Sequence, residues 1–273
     1  MFDIRIIYDT INNFKKLGIS LNTNCFFNNY KLMALSEQED AKLYVGKASI
    51  CLLYNDFNFT RLYYWITDLN AIPEVSDCVI NDCNKTRDII IELIGFDNAI
   101  DELERRFSKA GIKRYAKLSR YRTNVLNLSR DKNDDFTYSL VDNKDIEKIQ
   151  AILKENLDPY ISHLPTEEYL NCLNNKKSVY GAYLNRDLIG VCCLEDIGLH
   201  GKYLYEIAVR KNYHGRKIGQ SIADYAFSQC TECNNYATWI EENNVVSKKI
   251  FKNLGFKVDK LKTRVLIYGK IKY

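Results

Sequence analysis

The sequence lacks any long apolar run. No stretch approaches the ~20 consecutive apolar residues that a membrane-spanning helix requires, so no membrane segment is expected. Met1 to Tyr8 lacks the basic stretch and apolar core of a secretory leader, and the cysteine usage fits a cytoplasmic protein. Histidine is scarce, with only His163, His200 and His214. A zinc site needs four well-spaced ligands, so no metal is expected, although Cys230 and Cys233 form a C-x-x-C pair and Cys78 and Cys83 lie five apart. The nine cysteines are odd in number and scattered, which fits buried reduced thiols better than a disulfide framework. Neither sign of charge dominates. The 39 Lys and Arg are interspersed with 35 Asp and Glu, giving a net charge of +4. No concentrated basic face stands out, so no nucleic-acid partner is expected, while an anionic small ligand is allowed.

What is present is ordinary globular composition, 46% hydrophobic and 27% charged over 273 residues. That is enough for two cores of roughly 130 residues each. The run Ser129 to Asp135 contains no apolar residue and reads as a linker, dividing the chain into expected domains 1–128 and 136–273. In the second half, Ile146, Ile149, Ile152 and Leu153 recur at helical spacing between Lys144 and Leu157, with Asp145 and Glu147 favourable near the start. Val179 to Leu184 and Leu188 to Leu194 read as strands joined by a turn at Asn185 to Asp187. Tyr203 to Val209 is a third strand, and Ile218, Ile222, Ala226 and Cys230 mark one face of a helix. A strand at Tyr236 to Ile240, a helix lined by Val246, Ile250 and Leu254 and closed by Gly255, and a last strand at Arg264 to Ile271 complete the pattern. The class is α+β with a mixed sheet, a hairpin meander followed by strand–helix–strand–helix–strand.

The most informative segment runs from Tyr205 to Gly219. A strand enters a short basic loop with two glycines, and the loop opens a helix. The first turn of a helix has unpaired N–H groups and a partial positive charge, so a pyrophosphate is stabilised there. Gly215 and Gly219 keep Cβ atoms out of the way, and Arg216 and Lys217 add charge. A plain basic turn before an amphipathic helix would look much the same from this segment alone.

Ile207-Ala208-Val209 followed by His214-Gly215-Arg216-Lys217-Ile218-Gly219 resembles the acyl-CoA pyrophosphate loop of the GNAT family of N-acetyltransferases. That loop commonly reads Arg or Gln, two residues, Gly, one residue, then Gly or Ala. His214 stands at the Arg or Gln position and Lys217 at the first Gly. Downstream, Asn244 begins a helix that ends in Gly255-Phe256, which is similar to the family's second signature. The resemblance covers Phe136 to Tyr273 and implies a mainly antiparallel GNAT-like sheet flanked by helices. It also implies acetyl-CoA as acyl donor, held by Ile207 to Val209, by His214 to Gly219, by Asn244 and by the helix carrying Phe251. The acceptor it implies is the amine of a small molecule, an amino acid or a peptide.

Amine acylation needs a base for the amine proton, a proton for the leaving thiolate, and a donor to the carbonyl oxygen. The resemblance assigns the last role to a backbone N–H near Ile207 to Val209. Many relatives carry a Tyr as general acid where this chain has Phe251, and some carry a Glu where it has Trp239. Glu206 is the candidate base, because it lies beside the point where the acyl group would sit; a solvated strand residue is the plain alternative. Glu241 and Glu242 are the other nearby carboxylates, and Tyr203 and Tyr205 are possible proton donors. Lys248 and Lys249 read as a solvated helix face. The loop Leu157 to Tyr169, with Pro159 and Pro165, is the expected source of acceptor contacts.

Phe107 to Lys113 echoes Phe251 to Lys257, and Ile89 to Ile94 precedes the first as Tyr236 to Ile240 precedes the second. The first half is therefore read as a diverged copy in tandem, with a generic strand–helix–strand unit as the alternative. No glycine occurs between Gly46 and Gly95, so this half lacks the phosphate loop, and Arg61 to Trp65 reads as sheet and core. Three functions remain open: an N-acetyltransferase, a non-catalytic acyl-CoA-binding module, and a tandem enzyme that transfers aminoacyl groups.

Overall fold

A computed structural model describes residues 2–25, 29–56, 58–82, 87–128 and 135–269. The elements are, in order, α1 (Arg5–Lys16), β1 (Asn22–Thr23), α2 (Asn29–Ser36), β2 (Lys42–Val45), β3 (Ser49–Asp56), β4 (Phe59–Ile66), α3 (Ile72–Asp82), β5 (Ile89–Phe96), α4 (Asp97–Lys109) and β6 (Lys113–Thr123). There follow β7 (Thr137–Leu140), α5 (Ile146–Asn156), α6 (Glu167–Asn175), β8 (Val179–Leu184), β9 (Asp187–Asp196), β10 (Gly201–Val209), α7 (Ile218–Ser228), β11 (Asn235–Glu241), α8 (Val245–Asn253) and β12 (Lys257–Tyr268). No described helix is long and apolar enough to cross a membrane.

The chain divides into two compact units, Met1–Leu118 with Leu261–Tyr273, and Ser119–Lys260. These bounds differ from the expected 1–128 and 136–273. The polar run at 129–134 lies outside the described residues, and the units change over inside β6 and β12. Strand pairing, not linker composition, decides membership. The last strand, expected at Arg264 to Ile271, begins earlier. From Leu261 it pairs antiparallel with β5, Leu261 opposite Phe96 through Tyr268 opposite Ile89.

In the first unit β3 and β4 form an antiparallel hairpin, and every residue of β4 is buried, as expected of a strand covered on both faces. Tyr63, Tyr64 and Trp65 belong to this core. Arg61 joins them because its charge is met by Asp56 at 2.6 Å and Glu92 at 2.8 Å.

In the second unit the strands lie in the order β11-β10-β9-β8-β7. The period of two along β9 sends Val191 and Cys193 to one face and Cys192 and Leu194 to the other. One face is covered by α5 and α6 through Ile149, Ile152, Leu153, Leu170 and Leu173. The other is covered by α7 and α8 through Ile218, Ile222, Ala226, Phe227, Phe251 and Leu254. Each fully buried Ile, Leu or Phe among them contributes about 1.5–3 kcal/mol. Cys192, Cys193 and Cys230 are buried thiols in these cores. Both halves of the sequence run through the same succession. A hairpin (β3–β4, β9–β10) is followed by a helix (α3, α7), a strand parallel to the second hairpin strand (β5, β11), a helix (α4, α8) and a final strand (β6, β12).

Candidate functional site

The second unit contains a fork. β10 pairs in parallel with β11 from Gly201 opposite Asn235 to Tyr203 opposite Ala237, and beyond that point the strands part. Thr238, buried, donates its hydroxyl to the Leu204 carbonyl at 3.2 Å and so holds the crotch of the fork. On its other edge β10 stays with β9 as far as Val209 opposite Gly190, with a bulge between Leu204 and Glu206. The bulge re-aims the side chains of β10 where the strands diverge. Parting leaves the fork-side backbone of Ile207 to Val209 without a strand partner, the condition for an N–H there to reach a ligand carbonyl. Ala208 is buried, whereas Ile207 and Val209 are half-buried.

At the end of β10 the loop has a geometry that suits an anion. His214 holds it in place, its Nε2 2.7 Å from the Val209 carbonyl oxygen. A carbonyl only accepts, so that nitrogen carries the proton. Gly215 (φ +81°) and Lys217 (φ +60°) are both left-handed, and Lys217 leads directly into α7 with no side chain capping the helix. Left-handed residues so placed turn successive N–H groups inward, and the helix adds its positive end. The left-handed backbone at Lys217 gives a physical reason for a glycine there in the family pattern. Arg216 lies over the Tyr213 ring, 5.5 Å from its centroid. Ile218 is buried in the core. A Cβ on Gly219 would stand 3.7 Å from Ile250 and 3.9 Å from Val209, so α7, α8 and the end of β10 converge there with room for a methyl group.

The downstream signature has a structural role as well. Asn244 Oδ1 accepts the Ser247 N–H at 2.9 Å, which makes Asn244 the N-cap of α8. Val245 and Val246 are exposed beside it, an apolar surface at the start of the helix. Phe251 is instead a core residue, 2% exposed and edge-on to Phe256. Lys248 donates to the Glu242 carbonyl, and Lys249 is exposed.

The segment from Leu157 to Tyr169 meets β10. The Ser162 hydroxyl hydrogen-bonds Glu206, and the Tyr205 hydroxyl donates to the His163 carbonyl. Glu206 is half-buried, and its carboxyl is pushed up to about 8, first by burial and then by the negative charge of Glu195, against the Ser162 bond. The Tyr169 hydroxyl donates to Glu195 at 2.6 Å, and the Tyr169 and Tyr203 rings stand edge-on to Tyr205. Glu241 is raised by burial and by Asp158. Burial drives the Tyr205 phenol well above its usual range, and with its proton engaged by His163 it is a poor acid. Glu242 is exposed. Thr238, Ser162, Glu195 and Asp158 escaped the sequence reading. Only Thr238 left a signal, a hydroxyl inside the apolar strand Tyr236 to Ile240.

The first unit has the same fork but fills it. β4 and β5 pair in parallel from Thr60 opposite Ile89 to Leu62 opposite Ile91. Beyond it, Asn22 and Thr23 of β1 pair with Ile66 and Trp65, on the edge of β4 that β3 does not use. Asn24 accepts from Tyr64 N at 2.7 Å and donates to the Leu62 carbonyl at 3.0 Å. Where α7 begins at an uncapped basic loop, the turn before α3 is capped by the Asp68 carboxylate on Asn70 N at 2.6 Å. The chain's own segment thus occupies this fork, and a carboxylate stands where an anion would bind.

Residues 146–256 match the family model described as the acetyltransferase (GNAT) family. Among solved structures, a GCN5-related N-acetyltransferase from Sphaerobacter thermophilus is 11% identical with a TM-score of 0.64, over 88% of this chain and 84% of that one. A tandem GNAT protein from the clavulanic acid biosynthesis pathway is 10% identical with a TM-score of 0.57, over 84% of this chain and 83% of that one. A GCN5-related glucosamine N-acetyltransferase region of a fungal multi-domain β-N-acetylglucosaminidase gives a TM-score of 0.69 at 10% identity, over 92% of this chain and 38% of that longer one. At these identities the likeness is one of fold. No curated protein matches the chain. With the fork, the left-handed basic loop and the family model on the same stretch, residues 146–256 are the part of the chain that matches a domain of the acetyltransferase (GNAT) family.

Proposed function

We propose that the second unit transfers an acetyl group from acetyl-CoA to the primary amine of a small molecule, an amino acid or a peptide. One observation carries this reading: a strand fork that opens onto an uncapped, left-handed basic loop at the start of a helix. The N–H groups of the loop and of the first turn of α7 would take the pyrophosphate. The half-buried Ile207, Val209 and Ile250 and the exposed Val245 and Val246 would line the path of the pantetheine arm.

Chemistry follows from placement. The neutral amine attacks the thioester carbonyl carbon, a backbone N–H near Ile207 to Val209 stabilises the oxygen as charge develops, and the C–S bond breaks. The ionised Glu206 carboxylate accepts the proton the amine loses. The departing thiolate takes a proton from solvent or from Tyr203, since Phe251 has none to give and lies in the core.

Calorimetric titration with acetyl-CoA, on the wild type and on His214→Glu, Lys217→Glu, tests the reading. Micromolar binding, weakened roughly tenfold or more by the charge reversal, supports it. No binding by the intact protein sinks it. A second reading, a non-catalytic acyl-CoA-binding module, is favoured by Phe251. Thiol release in the presence of a panel of amines separates the two, because binding without any release leaves only the module.

A further inference from the structure

Charge in the second unit is nearly balanced, with 20 Lys and Arg against 19 Asp and Glu between 119 and 260. It is not evenly spread. A groove of about 1250 Å³ runs between the segment Tyr121–Asn127 and the C-terminal turn of α8 with the start of β12. Arg122, Lys248, Lys252 and Lys257 line it against one acid, Asp259, which is itself held by Arg120 at 2.5 Å. Between the cations stand two exposed valines, Val125 and Val258, and the side chains of Thr123, Asn124 and Asn127. The groove is separate from the phosphate loop, since none of His214 to Gly219 lines it.

We propose that this groove docks an acidic segment of a partner protein in extended form, with carboxylates alternating with apolar side chains. Lys248 and Lys252 are one helical turn apart, ~5–6 Å between Cβ atoms. Same-face side chains of an extended strand repeat every ~6.6 Å, close to that spacing. Alternate acids would meet the lysines while the intervening side chains rest on Val125 and Val258, and the Asn124 and Asn127 amides offer partners to a peptide backbone. Nucleic acid fits less well. It uses aromatic platforms for its bases, and of the two rings in this groove Phe256 is buried and Tyr121 is packed against the core.

Fluorescence anisotropy tests the proposal with a labelled octapeptide of alternating Glu and Val, the same peptide with Gln for Glu, and a 15-nucleotide oligothymidylate. Binding of the Glu peptide at low salt is expected, falling as salt rises. The Gln peptide is expected not to bind, and Lys252→Glu, Lys257→Glu is expected to weaken the Glu peptide roughly tenfold. The thermal midpoint of the double variant reports whether it still folds, and Lys257→Gln gives a milder loss if it does not. Absence of binding, or binding indifferent to these substitutions, overturns the proposal. So does tighter binding of the oligothymidylate, which would make the partner a nucleic acid. Loss of peptide binding on saturation with CoA also overturns it, by returning the groove to the cofactor site.

Discussion

Glu206 is protonated in most molecules at neutral pH, because its carboxyl is raised from 4.5 to about 8. The base form therefore grows as pH rises, and the rate of acetyl transfer is expected to climb to a plateau above about 8. Glu206→Gln should lower kcat/KM by roughly a hundredfold and remove that limb of the profile. A variant whose profile still rises through the same region would dismiss Glu206 as the base. The same shift acts on stability with a definite sign. Below the unfolded value the group is neutral in both states and costs nothing. Between 4.5 and about 8 the unfolded chain loses a proton that the folded chain keeps, so stability falls with pH across that window. In Glu206→Gln the fall should be shallower, as measured by urea midpoints at several pH values. Lys217 makes the second residue-scale case. A lysine at φ +60° is held in a conformation that costs about 1 kcal/mol without glycine's freedom. Lys217→Gly is expected to raise stability by a few tenths to about 1 kcal/mol in urea unfolding, while the backbone N–H groups of the loop keep their direction.

Helix α8 shows an element whose start depends on one side chain. Asn244 satisfies the Ser247 N–H, and Asn244→Ala should cost about 1 kcal/mol and loosen the first turn. Faster amide exchange at Ser247, with the α8 C-terminus unchanged, is the signature. Elements of this kind were legible in the sequence because their cause is local. The three-and-four spacing of Ile146, Ile149, Ile152 and Leu153 gives α5, and that of Ile218, Ile222 and Ala226 gives α7. Gly255, at φ +91°, ends α8 where a Cβ would stand 2.9 Å from the Val125 carbonyl. Helix α6 was missed. It is nine residues long and buries only Leu170 and Leu173, too few to set a period, and its Thr166 cap sits in a segment that Pro159 and Pro165 make read as loop. The fork was half legible. The loop and the flanking apolar strands are written in order, but where β10 and β11 part depends on Thr238 and the bulge after Leu204, which no spacing rule announces.

At the scale of the whole chain, what the sequence hid is which strand completes which unit. β6 and β12 follow the same kind of helix and end the same kind of repeat, so each reads as the close of its own half. Pairing across long separations obeys register and burial instead, and neither is visible in a local pattern. The filled fork of the first unit bears on function at this scale. With Asn22 to Asn24 on the open edge of β4 and Asp68 at the turn before α3, acetyl-CoA should bind once per chain, and a stoichiometry of two would contradict that. Strand membership makes a sharper case. A fragment of residues 136–273, the domain expected from composition, carries Leu261–Tyr268 without β5. It leaves Val265, Leu266 and Ile267, each at most 2% exposed in the full chain, with nothing to cover them. It also loses Tyr121 and Leu126 from the face of its core. A fragment of 119–260 keeps both residues and ends before the stretch of β12 that pairs with β5. The fragment 136–273 should therefore aggregate through its unpaired edge. The fragment 119–260 should remain monomeric and unfold in one transition, as read by size-exclusion chromatography and urea titration. If 136–273 is instead the one that is monodisperse and cooperative, β12 completes the second unit, and its assignment to β5 is wrong.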